Sequence, residues 1–204
     1  MHKNSHSKME WFKNTYLSNS NKLDILDVGS LDGKGNYNYS DIFKEENWTY
    51  TGLDFQAGHN VDTVVTDIYN WFEVEDNTYD VVISGQLFEH LEFFWLTMSE
   101  IERVLKPGGY VCIIVPSSGP RHGGNIPNCY LFYEDGLKAM AKYVNLEVLH
   151  ASVDEREEAK PWNDACLVAR KAGQLTTEDT KELEDRMNNL EGKLDSILEA
   201  INKK

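Results

Sequence analysis

Residues 23–35, LDILDVGSLDGKG, constrain this chain more than any other stretch, because an apolar run closes on an acid and then on a glycine-punctuated turn. Leu23, Ile25, Leu26 and Val28 are too continuous for a strand with one wet face. Such runs belong to strands covered on both sides, as in the middle of a parallel sheet. Gly29 and Gly33 let the backbone turn sharply and approach a ligand where a Cβ would stand in the way. Asp27 narrows the chemistry of that ligand. A carboxylate at the strand's last turn repels a pyrophosphate and favours a cation or a hydrogen-bond donor, such as an amino group, a sulfonium or ribose hydroxyls. Taken alone, a glycine-containing strand end is equally compatible with a plain turn.

Two further acids at strand ends change the balance. The apolar segment 50–54 ends in Asp54, at roughly the distance downstream where an acid meets ribose hydroxyls in dinucleotide folds. A third segment, 61–68, carries Asp67 at its end. Each acid by itself could be a solvated strand terminus. Strand ends of a doubly wound sheet converge on one crevice, so Asp27, Asp54 and Asp67 are expected to line one pocket from three sides.

With these residues in place, the chain resembles a class I S-adenosylmethionine-dependent methyltransferase of the small-molecule type, without an appended recognition domain. The resemblance runs from Ile25 to Asp54, through Asp67 and Ile68, then YDVVIS at 79–84, and EIERVLKPGG at 100–109 leading into an apolar strand at 110–115. The RVLKPGG segment is its most specific piece, and physically it reads as a helix stop, since proline cannot continue a helix and glycine permits a left-handed exit. The fold implied is an α/β, Rossmann-like, seven-stranded methyltransferase sheet with helices on both faces. Segments 146–153 and 164–169 would form its antiparallel closing hairpin.

Carried over residue by residue, the resemblance implies S-adenosyl-L-methionine as cofactor. Gly29 and Gly33 would pass beneath its methionine part and ribose, beside Asp27, and Asp54, with Phe55 next to it, would hold the ribose hydroxyls. Asp67 and Ile68 would meet the adenine, and Ser84, Gly85 and Gln86 the methionine end. Where the family usually has a middle glycine this chain has Leu31, which makes Ser30 and Asp32 candidates for contacts that bare backbone normally supplies.

Composition bounds the partners. At 204 residues the chain is long enough for one domain with a full core, and its 41% apolar content is that of a soluble protein. A net charge of -14 without a Lys/Arg stripe argues against a nucleic-acid partner. Cys112, Cys129 and Cys166 show no CxxC spacing, so neither a disulfide framework nor a zinc knuckle is indicated, and the cytoplasm is the expected compartment. No membrane span or signal peptide is expected, and no metal constellation is evident from spacing.

The expected organisation is an N-terminal cap segment at 1–22, a cofactor-binding domain at 23–172 and a C-terminal helix at 177–204. MHKNSHSK looks disordered and is followed by a short helix at 9–17, which either covers the pocket or packs on the sheet. A first crossover helix is expected at 37–45. Trp71 and Phe72 either stack near the adenine or anchor a crossover in the core. A helix is expected from Phe93 to Lys106, and another over 133–143. Between them lies a glycine- and proline-rich loop, 116–133, long enough to be functional and placed after the fifth strand; Arg121, His122, Asn125, Asn128 and Tyr130 are its candidate acceptor contacts. In the tail Leu183, Met187, Leu190, Leu194, Ile197 and Ile201 form a heptad seam, which favours a parallel coiled coil and a homo-oligomer over a helix folded back on its own domain.

A sulfonium methyl is already activated, so the protein has mainly to align acceptor and methyl and to exclude water. An oxygen acceptor also loses a proton, and His90 and His122 are the candidate general bases near the expected pocket. Segments ISGQLFEH and CYLFYEDG resemble methyltransferases of glycan and polysaccharide assembly, which makes a sugar hydroxyl the preferred acceptor. Methylation of another small molecule, a lipid precursor or secondary metabolite, is the alternative. A non-catalytic scaffold is the third class, and the joint presence of Asp27, Gly29, Asp54 and Asp67 argues against it.

Overall fold

The computed structural model describes residues 3–32, 38–124 and 126–173, together with Met187 and Lys193. The chain divides into two compact units, Met1–Ala172 and Gly173–Lys204. The coiled-coil seam expected at 177–204 lies outside the described residues apart from Met187 and Lys193.

The first unit is built on seven strands: β1 Leu23–Val28, β2 Trp48–Asp54, β3 Thr63–Val64, β4 Tyr79–Gly85, β5 Leu105–Val115, β6 Glu147–Val153 and β7 Ala165–Arg170. They lie in the order β3-β2-β1-β4-β5-β7-β6. β1 pairs in parallel with β2 and β4, and β7 runs antiparallel to both β5 and β6. The chain winds outward from β1 to β3 and then returns to the other side of β1 with β4. That reversal is the topological switch at which α/β sheets leave a crevice beyond the carboxyl ends of their strands.

The central strands are buried on both faces, and their alternation sorts their side chains into two cores. Leu26 and Val28 of β1, Val82 of β4, and Val111 and Ile113 of β5 share one core with Met98 and Ile101 of α2 (Phe94–Val104) and Leu137 of α3 (Glu134–Tyr143). Ile25, Val81, Ile83, Cys112 and Ile114 point the other way, toward Met9 and Phe12 of α1 (Lys3–Tyr16) and toward Tyr39, Ile42 and Phe43. Met9 and Phe12 are fully buried and contribute on the order of 1.5–3 kcal/mol each to holding α1 on the sheet. α1 therefore packs on a sheet face, and its first turn reaches the carboxyl edge of β4 through Ser5, whose hydroxyl lies 2.6 Å from that of Tyr39.

Four boundaries differ from the expectations. α1 begins at Lys3, inside the stretch that looks disordered, because Ser5 is fully buried against Tyr39 and tertiary contact overrides a polar composition. The first crossover contains only a 3-10 turn, Tyr39–Asp41, in place of the expected helix. β3 is two residues long, so Asp67 lies beyond it in a bridge with Asn70. α2 ends at Val104, and Lys106, Pro107, Gly108 and Gly109 belong to the irregular start of β5, with Gly108 at φ +82°.

Candidate active site

The crevice begins at Asp27. It lies opposite Gly52 of β2 and Ile83 of β4, 2% exposed, and its Oδ2 accepts a hydrogen bond of 2.5 Å from the Tyr50 hydroxyl. Asn60 Nδ2 donates both to that hydroxyl and to the Ser30 carbonyl, tying the strand pair to the loop after β1. Burial pushes the Asp27 carboxyl up to about 7, against the pull of the Tyr50 hydrogen bond, and the negative field of Asp54 adds to the rise. An acid buried without a counter-cation is poorly solvated as an anion, and a cationic ligand would change that.

The turn after β1 is shaped as a cradle. Gly29 has φ +81°, and a Cβ on it would stand 2.9 Å from Leu87. Its N–H and that of Ser30 both donate to the Leu53 carbonyl. Leu31 fills the place of a middle glycine through its backbone. Its N–H donates to Asp54 Oδ2 at 3.3 Å, while its side chain lies so close to Gly58 that a Cβ there would be 2.3 Å from it. Ser30 Oγ is buried without a hydrogen-bond partner among the described residues, and Asp32 Oδ2 lies 3.5 Å from His59 Nδ1. Gly33 and Asn125, two of the expected contact residues, lie outside the described residues.

Asp54, at the end of β2, is 5% exposed; its two oxygens accept from the N–H groups of Leu31 and Gln56, and burial raises its pKa above the ordinary value. Each carboxylate oxygen retains a second lone pair, enough for a vicinal diol. Phe55, next in sequence, is 54% exposed at the rim. Asp67 is exposed as well, and its Oδ1 caps the turn by accepting from the Tyr69 N–H at 2.8 Å. Ile68 is half-buried, and its carbonyl accepts hydrogen bonds from Trp71 Nε1 and Thr97. Two acids therefore sit inside the crevice and the third stands on its edge, because β3 stops short of it.

At the carboxyl end of β4 the residues have separate tasks. Ser84 Oγ donates to the Val28 carbonyl at 2.8 Å, so this side chain joins β4 to β1. Gly85 is required by Tyr39, whose hydroxyl would be 1.9 Å from an added Cβ. Gln86, at φ +61°, donates from Nε2 to Asp164 Oδ1, and Asn4 of α1 donates to Oδ2 of the same carboxyl. Asp164 is fully buried, and burial pushes it up to about 6 despite those donors. Sequence reading missed it, since its partners come from α1 and from β4.

A second group lies where the segments leaving β4 and β5 meet. Glu89 is 1% exposed, and neither carboxyl oxygen has a hydrogen-bond partner among the described residues. His90 Nε2 lies 3.7 Å and His122 Nε2 3.8 Å from Glu89 Oε1, and the two rings meet edge-on with centroids 4.9 Å apart. Burial pushes Glu89 up to about 8 and holds His90 below its ordinary value. Glu89 and His122 line a cavity of 320 Å³ with Pro116, Arg121, Cys129 and Tyr130. The long loop is pinned beside this group, in part by the Glu89 carbonyl, which accepts from the N–H groups of Cys129 and Tyr130. Asn128 is a loop clamp, accepting from the His122 N–H and donating to the His122 carbonyl. Both expected histidines are brought together, and the acid between them is the residue that sequence reading passed over.

A methyltransferase domain family matches residues 26–113, from the middle of β1 into β5. A polyketide synthase-nonribosomal peptide synthetase of Pyricularia grisea, pyiS, is 28% identical over 130 residues, which cover 59% of this chain and 3% of that enzyme. The chain thus spans a small fraction of that relative's length. Among solved structures, 1,6-didemethyltoxoflavin-N1-methyltransferase of Burkholderia thailandensis, with S-adenosylhomocysteine bound, superposes with a TM-score of 0.65 at 16% identity, covering 82% of this chain and 78% of that one. The CurJ carbon methyltransferase gives 0.58 at 16% identity, covering 78% and 50%. Residues 26–113 match a methyltransferase domain, and the sheet order and these likenesses give the chain the class I S-adenosylmethionine-dependent methyltransferase fold. The residues of this crevice would suit S-adenosylmethionine, with buried acids for a sulfonium and an ammonium and the spare lone pairs of Asp54 for a ribose diol.

Proposed function

We propose that the chain methylates an oxygen of a small polar molecule, with a sugar or glycan hydroxyl as the acceptor. The observation that carries this reading is the pair Glu89 and His122 at the wall of the 320 Å³ cavity, with His90 Nε2 3.7 Å from Glu89. When bound, the cofactor supplies a methyl group already activated on a sulfonium. What the protein adds is alignment, exclusion of water and a place for the acceptor's proton. The cavity volume is at the lower end of small-molecule sites and suits an acceptor of about one ring. Its lining favours a polar acceptor, with the exposed Arg121 at the rim and the Tyr130 ring along one wall. An imidazole of His90 or His122 is the proton acceptor in this reading, with Glu89 3.7 and 3.8 Å from their Nε2 atoms to stabilise the charge that the proton brings.

Similar folds are named for transfer to nitrogen and to carbon, so the acceptor atom has to come from the pocket and not from the fold. The test incubates the purified chain with methyl-labelled cofactor and a panel of nucleotide sugars, glycans and non-sugar metabolites, followed by mass spectrometry of labelled products. Label in an O-methyl sugar supports the reading, and label confined to a non-sugar acceptor replaces it. On the substrate found, His122→Ala lowers turnover by about 10²–10⁴-fold while leaving cofactor affinity unchanged.

A further inference from the structure

We infer that Glu89, His90 and His122 form a binding site for one divalent transition-metal ion at the wall of the acceptor cavity. The three ligand atoms, one carboxylate oxygen and two imidazole nitrogens, lie within 4.8 Å of one another. From Glu89 Oε1 to the Nε2 atoms of His90 and His122 the separations are 3.7 and 3.8 Å. Ligands on a first-row ion with bonds of about 2.1 Å stand about 3.0–3.4 Å apart, so the group closes on an ion by a few tenths of an ångström at each atom.

Three independent features point the same way. Glu89 is 1% exposed and both its carboxyl oxygens are without a hydrogen-bond partner among the described residues, which is costly unless a ligand offsets it. Each imidazole presents Nε2 to Glu89 while its Nδ1 faces a backbone carbonyl, that of Pro127 at 2.5 Å for His90 and that of Pro120 at 3.4 Å for His122. A carbonyl can only accept, so the proton sits on Nδ1 and the Nε2 lone pair is directed at the site, the arrangement that fixes a ligand histidine. The third feature is the support behind His122. Its ring packs edge-on against Trp162 at 4.7 Å, and Gly119, at φ +112°, is the residue that lets the loop pass, since a Cβ there would meet Trp162 at 2.5 Å.

Two nitrogens and one oxygen favour zinc, iron(II) or a neighbouring ion over magnesium or calcium, which prefer oxygen cages. Three protein ligands leave positions open toward the cavity, as catalytic sites do and structural sites do not. This deepens the methyl-transfer reading. Without an ion an imidazole takes the acceptor's proton. With one, both imidazoles would remain ligands, and the ion would lower the pKa of an acceptor hydroxyl so that its proton could leave to solvent. Ion binding itself does not require that the acceptor be a sugar.

The experiment treats the full chain with chelator, removes the chelator, and titrates with Co²⁺ by absorption and Zn²⁺ by calorimetry. S-adenosylhomocysteine binding is measured on each sample as the check of fold. The expected result is one ion per chain with ligand-field bands for Co²⁺, weakened at least about tenfold in His122→Ala and in Glu89→Gln. His122→Ala, at a half-buried loop position, carries the test should Glu89→Gln fail to fold. Failure of the wild-type chain to bind either ion, or binding unchanged in His122→Ala, overturns the site. If S-adenosylhomocysteine still binds in that case, the methyltransferase class stands without it.

Discussion

Asp27 shows how much of this site's chemistry is set by its surroundings. Burial lifts its pKa from 3.8 to about 7, so the folded state holds a proton that the unfolded state releases. The contribution to stability is fully present below about pH 4 and is lost as pH rises through about 7, a difference on the order of 4 kcal/mol. Asp164, raised to about 6, and Glu89, raised to about 8, act in the same direction. Asp154 acts oppositely, its carboxyl held far below the ordinary value by Arg156, so its support fails on acidification below about pH 4. Urea titrations of the cofactor-free protein between pH 5 and pH 8 are expected to show stability falling with pH, and the slope to flatten in Asp27→Asn; a wild-type slope in that variant would refute the assignment. At Gly85, alanine places a Cβ 1.9 Å from the Tyr39 hydroxyl and disturbs its contact with Ser5. Gly85→Ala is expected to cost about 1–3 kcal/mol in the same assay, and no loss would mean that Tyr39 moves freely. Asp27, Gly29 and Asp54 were legible because a strand end needs no distant partner to be recognised. Glu89 and Asp164 were not, because what makes them unusual arrives from His122, Gln86 and Asn4, each remote in the chain.

At the scale of elements, the strands announced themselves where both faces are covered. β1, β4 and β5 are apolar at consecutive positions because alternate residues enter different cores. Short elements did not: β3 is two residues and the first crossover holds a single 3-10 turn, both below the length at which periodicity carries information. The aromatic pair after Asp67 resolves by burial. Trp71 is fully buried, its Nε1 donating to the Ile68 carbonyl and its N–H to Glu100, whereas Phe72 is 83% exposed. Arg103 ties the same segment to α2 by donating to the Trp71 and Val74 carbonyls and to Glu100. Trp71→Ala is expected to cost about 3–5 kcal/mol and Phe72→Ala less than about 0.5 kcal/mol. Equal effects in thermal unfolding would show that the crossover is not anchored this way.

For the molecule as a whole, the first unit closes on itself, since helices cover both faces of the sheet and the two cores are complete within it. None of its described helices is long and apolar enough to cross a membrane. A chain ended at Gly173 is therefore expected to fold and to bind cofactor as the full chain does. Light scattering of the two forms would also test the proposed coiled coil, for which a multimeric full chain and a monomeric truncation are the expected pair. The seven-stranded sheet was implied by the family resemblance, and the crevice at its reversal by the strand-end acids. The cavity lined by Glu89 and His122 was not, because a loop's path depends on packing such as that of Gly119 against Trp162. The account rests most on the crevice. Its most direct measurement is calorimetric titration of S-adenosylhomocysteine into the wild-type chain and Asp54→Ala. Saturable binding to the first, weakened by about 1.5–3 kcal/mol in the second, is the predicted result; wild-type affinity in Asp54→Ala would contradict it.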